Sequence, residues 1–89
     1  MKAFRARVYG KVQGVWFRKY TKDKAMEWGI KGFVRNEPDG SVYVEAEGDE
    51  DALEAFAKWL HQGSPLSRVD RVEIQPAEVK HYETFSINR

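Results

Sequence analysis

The sequence predicts an α+β fold, in which two helices cover one face of an antiparallel sheet and a short extra strand ends the chain. Three observations support this prediction. Apolar residues alternate with polar ones in several segments, as in half-buried strands. In two other segments they recur at helical spacing, and turns rich in glycine and proline separate the segments. The chain has 89 residues, so a single domain spanning residues 1–89 is expected.

The first half of the chain predicts a strand, a helix and a hairpin. Residues 4–9 alternate between apolar side chains and arginine or tyrosine, which indicates a half-buried strand. Residues 17–28 carry apolar and small side chains at helical spacing. The buried face of this helix is expected to contain Phe17, Tyr20, Thr21, Ala25 and Trp28. Residues 30–36 and 42–47 predict the two strands of a hairpin, because the segment EPDG between them is typical of a turn.

The second half predicts a helix and two strands. Asp49 is expected to cap the helix, and the acidic residues after it favour the positive end of the helix dipole. The buried stripe of this helix is expected to contain Leu53, Phe56, Ala57 and Leu60. Residues 68–75 alternate again and predict a strand. A last short strand should cover residues 84–88, with Phe85 and Ile87 pointing inward.

This order of elements is that of the ferredoxin-like βαββαβ arrangement. A crossover from strand through helix to strand sends both strands in the same direction. The carboxyl ends of the first two strands should therefore lie at the same edge of the sheet. We expect the loop after the first strand to approach Asn36, which ends the second strand.

The composition excludes several classes of function. The formal net charge is +1, from 15 basic and 14 acidic residues, whereas proteins that coat nucleic acids normally carry a basic surplus. The chain has no cysteine, which excludes disulfides and thiolate catalysis. The two histidines lack metal-ligand spacing, and no apolar run reaches the ~20 residues of a membrane span. We expect a cytoplasmic monomer that binds neither nucleic acid nor a membrane.

The most informative segment is GKVQGVWFR, residues 10–18. Its two glycines allow a tight turn and a close approach of a ligand to the backbone. The helix that follows offers unpaired N–H groups and a partial positive charge. Arg18 adds a planar guanidinium that suits phosphate oxygens. The segment therefore predicts a binding site for an anion, most simply a phosphoryl group.

Residues 10–18 resemble the acylphosphatase signature G-x-V-Q-G-V-x-F-R. A second segment, GFVRN at residues 32–36 followed by Gly40, Val42 and Gly48, is similar to the second signature of the same family. The length of the chain and the order of its elements also fit the family. Two motifs at the right separation make a specific signal, which either motif alone would not.

The resemblance implies a hydrolase that cleaves acyl phosphates to a carboxylate and inorganic phosphate, with no metal and no cofactor. It implies that Arg18 binds the phosphoryl group and that Asn36 holds the attacking water. Backbone N–H groups of the loop would complete the phosphate site. The loop residues implied in this role are Val12, Gln13, Gly14, Val15, Trp16 and Phe17.

Neither motif contains an obvious general acid or base, and this absence is informative. A carboxylate leaving group has a parent acid with a pKa near ~4, so it departs without protonation. An alkyl phosphate would need a proton donor that the motifs do not supply.

Two side chains of the loop, Gln13 and Trp16, are interpreted from their positions in the motif. Gln13 either braces the loop, which we favour, or contacts the substrate, and Trp16 is expected at the entrance to the pocket.

An alternative from another class is a non-catalytic binding module of the same fold, for single-stranded RNA or a small anionic ligand. Tyr9, Phe33 and Tyr43 are predicted to share the uncovered face of the sheet with several arginines, as in modules that stack bases. The sheet motif of such modules requires a later aromatic residue, which Val34-Arg35-Asn36 lacks. A binding module would also leave the second motif, and Asn36 in particular, without a purpose.

Overall fold

The structure, a computed structural model, describes residues 1–89 and confirms the predicted α+β fold. Each predicted strand and helix is present, with ends shifted by at most two residues. The elements are β1 (Lys2–Lys11), α1 (Phe17–Glu27), β2 (Lys31–Asn36), β3 (Val42–Gly48), α2 (Glu50–Gln62), β4 (Arg68–Pro76) and β5 (Phe85–Asn88). Neither helix has the length and apolar character that crossing a bilayer requires.

The strands form one five-stranded sheet in the order β4-β1-β3-β2-β5. β1, β2, β3 and β4 pair in antiparallel fashion, as predicted, and β5 adds to the edge parallel to β2. Val42 of β3 pairs with Val8 on one side and with Asn36 on the other. β1 and β2 therefore run in the same direction, and Asn36 lies beside the end of β1.

The core lies between the helices and one face of the sheet. Leu53, Phe56 and Leu60 of α2 are buried as predicted, and Ala57 is partly buried. Trp59, which the predicted stripe omits, is also buried and lies against Phe17, with their ring centroids 5.6 Å apart. This contact joins the first turn of α1 to the last turn of α2. It thereby anchors the start of α1, where the predicted phosphate loop ends.

The buried stripe of α1 is narrower than predicted. Phe17, Thr21 and Ala25 are buried, whereas Tyr20 is exposed. The buried residues are spaced four apart, so the stripe drifts around the helix and leaves Tyr20 beside it. Trp28 follows the last helical residue and packs partly buried against the core.

Ile87 departs from its predicted inward position, because it is 40% exposed while Phe85 is 1% exposed. Residues two apart in a strand lie on the same face, so the predicted face is right. The core, however, ends at Phe85, and Ile87 lies beyond it at the edge where the loop and Asn36 meet.

Asp49 occupies the N-cap position of α2, as predicted, but its side chain makes no capping hydrogen bond. Its backbone carbonyl accepts the first hydrogen bond of the helix, from the Leu53 N–H at 2.9 Å. The N-terminus of α2 is exposed, so water can satisfy the free N–H groups. Glu50 and Asp51 still place negative charge at the positive end of the helix.

Candidate active site

The loop between β1 and α1 alternates between buried and exposed residues. Val12, Val15 and Phe17 are each at most 7% exposed and fix the loop to the core. Gly14 and Trp16 lie between them and face outward. Burial of every second or third side chain thus holds the backbone of the loop in a defined shape while one side of the loop stays open.

The open side of the loop depends on positive backbone dihedrals. Gly14 has φ of +73°, which glycine adopts without strain, and a Cβ atom there would meet no other atom. Trp16, immediately before α1, has φ of 63° and ψ of 16°. A bulky residue rarely adopts this left-handed conformation, so the structure holds Trp16 in a strained position.

The loop presents unpaired hydrogen-bond donors. No backbone N–H of residues 12–16 donates to an acceptor within the protein, and the first backbone bond of α1 runs from the Tyr20 N–H to the Trp16 carbonyl at 3.1 Å. The N–H groups at the start of any helix also lack intrahelical partners. Consecutive free N–H groups before a helix form an anion-binding concavity.

Gln13 braces the loop, as favoured from the sequence. Its side-chain amide nitrogen donates to the carbonyls of Glu37 at 2.8 Å and Ser41 at 2.9 Å. These carbonyls belong to the turn between β2 and β3, just after Asn36. One side chain therefore fixes the distance between the two segments that carry the predicted site.

A cleft of about 420 Å³ brings the two predicted motifs together. It is lined by Val12, Gly14, Trp16, Phe17, Arg18, Lys19, Asn36 and Ile87. Six of the eight predicted site residues are among them, and Trp16 lies at the cleft as expected. The other two, Gln13 and Val15, point elsewhere, to the hairpin turn and to the core. Gln13 and Val15 could therefore contact a ligand only through their backbone N–H groups.

Arg18 is half-buried in the cleft and forms no ion pair. Its only hydrogen bond within the protein runs from Nη1 to the backbone carbonyl of Asn88 at 3.3 Å. That carbonyl belongs to the last residue of β5, so the C-terminal strand helps to orient the guanidinium. Since the remaining N–H groups have no protein acceptor, Arg18 can donate two parallel bonds to an anion.

Asn36 has the one buried side-chain polar atom in the structure without a hydrogen-bond partner, its Oδ1. Leaving such an atom unpaired costs about 1–3 kcal/mol, and most buried polar atoms have partners. Asn36 also lines the cleft. Because Oδ1 itself is buried, it can accept a hydrogen bond from a small molecule in the cleft once the side-chain amide rotates.

Lys19 and Ile87 complete the cleft and were not predicted as site residues. Lys19 follows Arg18 at the start of α1, and its ammonium pairs with Asp23 at 3.0 Å. No motif singles out a lysine on an exposed helix face, and alternation alone assigns Ile87 to the core. The cleft has no carboxylate and no histidine among its lining residues, so its chemistry depends on cations, backbone donors and one amide.

The uncovered face of the sheet, considered above for RNA, has its arginines engaged by neighbours. Arg7 and Arg35 both pair with Glu37, at 3.5 and 3.3 Å. Arg35 also lies 4.7 Å from the ring centroid of Tyr43, and Arg5 donates two bonds to the Gln75 side chain. These contacts bind the strands to one another and leave no row of free cations across the face.

Comparisons with known proteins agree with the geometry of the cleft. The acylphosphatase family model matches residues 4–87. The acylphosphatase of Nitrosococcus oceani is 45% identical over 83 residues, 93% of each chain, and that of Thermococcus kodakarensis is 47% identical over 89 residues, 98% of each chain. The crystal structure of acylphosphatase from Bacillus subtilis has a TM-score of 0.97 to this chain at 36% identity and covers 100% of both chains. The chain belongs to the acylphosphatase family.

Proposed function

We propose that the protein hydrolyses acyl phosphates by holding the phosphoryl group on Arg18 and the loop, while Asn36 positions the attacking water. The reaction class is that of the family, a hydrolase of acyl phosphates. The assignment of each step to a residue is our proposal. It rests above all on the unpaired Oδ1 of Asn36, which lines the same cleft as an arginine without an ion pair.

The phosphoryl group is held by two kinds of donor. The unpaired backbone N–H groups of residues 12–16 surround one part of the anion, and the Arg18 guanidinium binds another part bidentately. Charge in phosphoryl transfer spreads over the three equatorial oxygens. Donors fixed in place before the substrate arrives stabilise that charge without reorganisation during the reaction.

Asn36 orients the nucleophile. Rotation of its amide turns the buried, unpaired Oδ1 towards the cleft, where this oxygen accepts a hydrogen bond from water. An amide is too weak a base to remove the proton, so the proton passes to an oxygen of the phosphoryl group. The water oxygen forms a bond to phosphorus, the bond between phosphorus and the acyl oxygen breaks, and the carboxylate leaves with the electron pair. Positioning of this kind lowers barriers without acid–base chemistry.

Hydrolysis of benzoyl phosphate in excess chelator tests the reaction and the residue roles together. The wild-type protein should turn over with chelator present, since the proposed roles involve no metal. Asn36→Ala should lower kcat by about 100-fold while inorganic phosphate still inhibits, because misplacing a reacting group by about 1 Å can cost about 100-fold. Arg18→Ala should weaken both turnover and phosphate inhibition. Full activity of Asn36→Ala would disprove the role of Asn36.

We also propose that residues 1–89 act as a single cytoplasmic domain, as a monomer and without nucleic acid. The near-balanced charge and the engaged arginines of the uncovered face support the last point. Light scattering would measure the mass in solution, and titration with labelled single-stranded RNA would test for binding. Salt-sensitive RNA binding together with no turnover of benzoyl phosphate would favour the binding-module alternative instead.

A further inference from the structure

Two exposed apolar side chains lie at the mouth of the cleft. Trp16 is 67% exposed and Ile87 is 40% exposed, and both line the cleft that contains Arg18 and Asn36. Ligand pockets are lined mainly by apolar and aromatic side chains with a few polar groups that fix the ligand, and exposed apolar surface rimmed by polar residues marks such sites. The polar groups of the cleft account for the phosphoryl group and the water, which leaves these two side chains without a role in the steps above.

The backbone of Trp16 adds a second, independent observation. A left-handed conformation strains a non-glycine residue, and Trp16 has φ of 63° without a capping hydrogen bond from its side chain. Gly14 adopts φ of +73° two residues earlier in the same loop, so glycine would relieve the strain at position 16 as well. Strain of this kind concentrates at binding sites and points to a function there.

We propose that Trp16 and Ile87 bind the acyl group, so that the enzyme prefers acyl phosphates with a planar, apolar acyl group. This proposal rests on the proposed function, since it takes the phosphoryl group to be held by Arg18 and the loop. The acyl group must then point out of the cleft towards its mouth. The exposed indole offers a flat face on which an aromatic acyl group can stack, and Ile87 adds aliphatic surface beside it.

Lys19 suggests a different acyl group, one with a second carboxylate. Its ammonium, however, already pairs with Asp23 at 3.0 Å, and its side chain is 59% exposed. An exposed, paired lysine contributes little to binding. Trp16 and Ile87 therefore determine which acyl group is preferred. An acyl group with a second carboxylate is the alternative that the experiment must distinguish.

The test compares kcat/KM for benzoyl phosphate, acetyl phosphate and succinyl phosphate. Trp16→Gly removes the indole and keeps a residue that tolerates the backbone conformation. We expect the benzoyl-to-acetyl ratio of kcat/KM to fall about tenfold, the size of one good apolar contact. Trp16→Phe keeps an aromatic face and should retain most of the ratio. Leu66→Ala, at a residue that is 71% exposed and not among those lining the cleft, is the matched control.

Each outcome supports or overturns the acyl-group proposal. An unchanged ratio in Trp16→Gly would overturn it. A loss of selectivity for succinyl phosphate in Lys19→Ala, with no effect of Trp16→Gly, would overturn it in favour of an anionic acyl group. The inhibition constant of inorganic phosphate reports on the phosphoryl site formed by Arg18 and the loop and not on the acyl group, so a rise in this constant as large as the fall in the ratio would also count against the proposal. Failure of the wild-type protein on all three substrates would instead refute the proposed function.

Discussion

Arg18 carries a permanent charge that no carboxylate of the protein neutralises. Most arginines of this chain differ in this respect, since Arg7, Arg35, Arg68 and Arg71 all pair with acidic side chains. The only acceptor for Arg18 is a backbone carbonyl at 3.3 Å. An arginine kept half-buried and unpaired is available to an incoming anion, and its forked geometry matches two phosphate oxygens.

Arg18→Lys should show that the forked geometry, and not charge alone, binds the phosphoryl group. Lysine keeps the charge but offers a point donor. We expect the inhibition constant of inorganic phosphate to rise about 10- to 100-fold, which corresponds to the ~1.5–3 kcal/mol of a hydrogen bond to a charged group. Arg5→Lys, on the uncovered face, should leave the constant unchanged. Equal phosphate affinity in Arg18→Lys and the wild type would contradict the bidentate geometry.

The sequence predicts the polar residues of the site better than the apolar ones. Arg18 and Asn36 lie in motifs, and the crossover rule brings their segments to the same edge. The structure confirms that both residues line one cleft. Alternation predicts a core position for Ile87, because it indicates which face of a strand is buried but not how far along the strand the helices cover that face. That extent depends on where the helices lie, which only the packed structure determines.

The site depends on the contacts that connect the loop after β1, the hairpin turn after β2 and the segment before β5. Gln13 joins the loop to the turn after β2 by two hydrogen bonds. Glu47 of β3 is fully buried, and its carboxylate accepts the N–H groups of Lys80 at 2.8 Å and Tyr82 at 3.0 Å. The second contact holds the segment that leads into β5, whose carbonyl at Asn88 orients Arg18.

Gln13→Glu tests the brace at constant size. A carboxylate cannot donate to the carbonyls of Glu37 and Ser41, so it loses both bonds and places a charge against two carbonyl oxygens. We expect a loss of about 2–4 kcal/mol in the free energy of unfolding at pH 7, more than for Gln13→Ala. Urea unfolding followed by tryptophan fluorescence measures both. A Gln13→Glu protein as stable as the wild type would show that the brace contributes nothing.

Glu47→Gln tests the contact that places the segment before β5. Glutamine has one acceptor oxygen, and its NH₂ group would face an N–H donor, so one buried donor becomes unpaired. The free energy of unfolding should fall by about 1–3 kcal/mol. Glu54→Gln, at an exposed position of α2, is the control and should change stability by less than about 0.5 kcal/mol. Equal stability of the two variants would argue against this role of Glu47.

The parallel pairing of β5 with β2 is a feature that local sequence patterns do not predict. Alternation predicts a short last strand, but four residues of alternation do not say which strand they pair with or in which direction. The segment before β5 is held by the carboxylate of Glu47, which lies more than 30 residues earlier in the sequence. No local signal marks Glu47 as different from Glu45, because both were expected on an ordinary amphipathic strand.

The helix side of the molecule and the uncovered face of the sheet have different structural roles. The helix side contains the apolar core and, at one edge, the cleft. The uncovered face contains a polar cluster in which Glu45 accepts from Tyr43, Tyr82 and Lys80 at 2.7 to 3.1 Å. Burial alone would raise the pKa of Glu45, but these hydrogen bonds outweigh it and lower the pKa below 4.5. The cluster thus stabilises the fold away from the edge that contains the cleft.

Tyr82 makes the stability of the molecule sensitive to alkaline pH. Burial, followed by the hydrogen bond to Glu45 and its negative charge, raises the pKa of Tyr82 from 10.0 to about 12. In the unfolded chain the hydroxyl ionises near pH ~10, while in the folded protein it stays protonated to about pH 12. The stabilisation of the folded protein by the protonated Tyr82 hydroxyl is therefore complete below pH ~10 and declines as the pH rises towards 12.

The variant Tyr82→Phe tests this dependence on pH, because phenylalanine cannot ionise. Its free energy of unfolding should be lower than that of the wild type at pH 8 by about 1 kcal/mol, but it should fall less steeply above pH ~10. Urea unfolding at pH 8, 10 and 11 measures this difference, with Tyr20→Phe as a control outside the cluster. Parallel declines in Tyr82→Phe and the wild type would show that the hydroxyl of Tyr82 does not govern the alkaline limit.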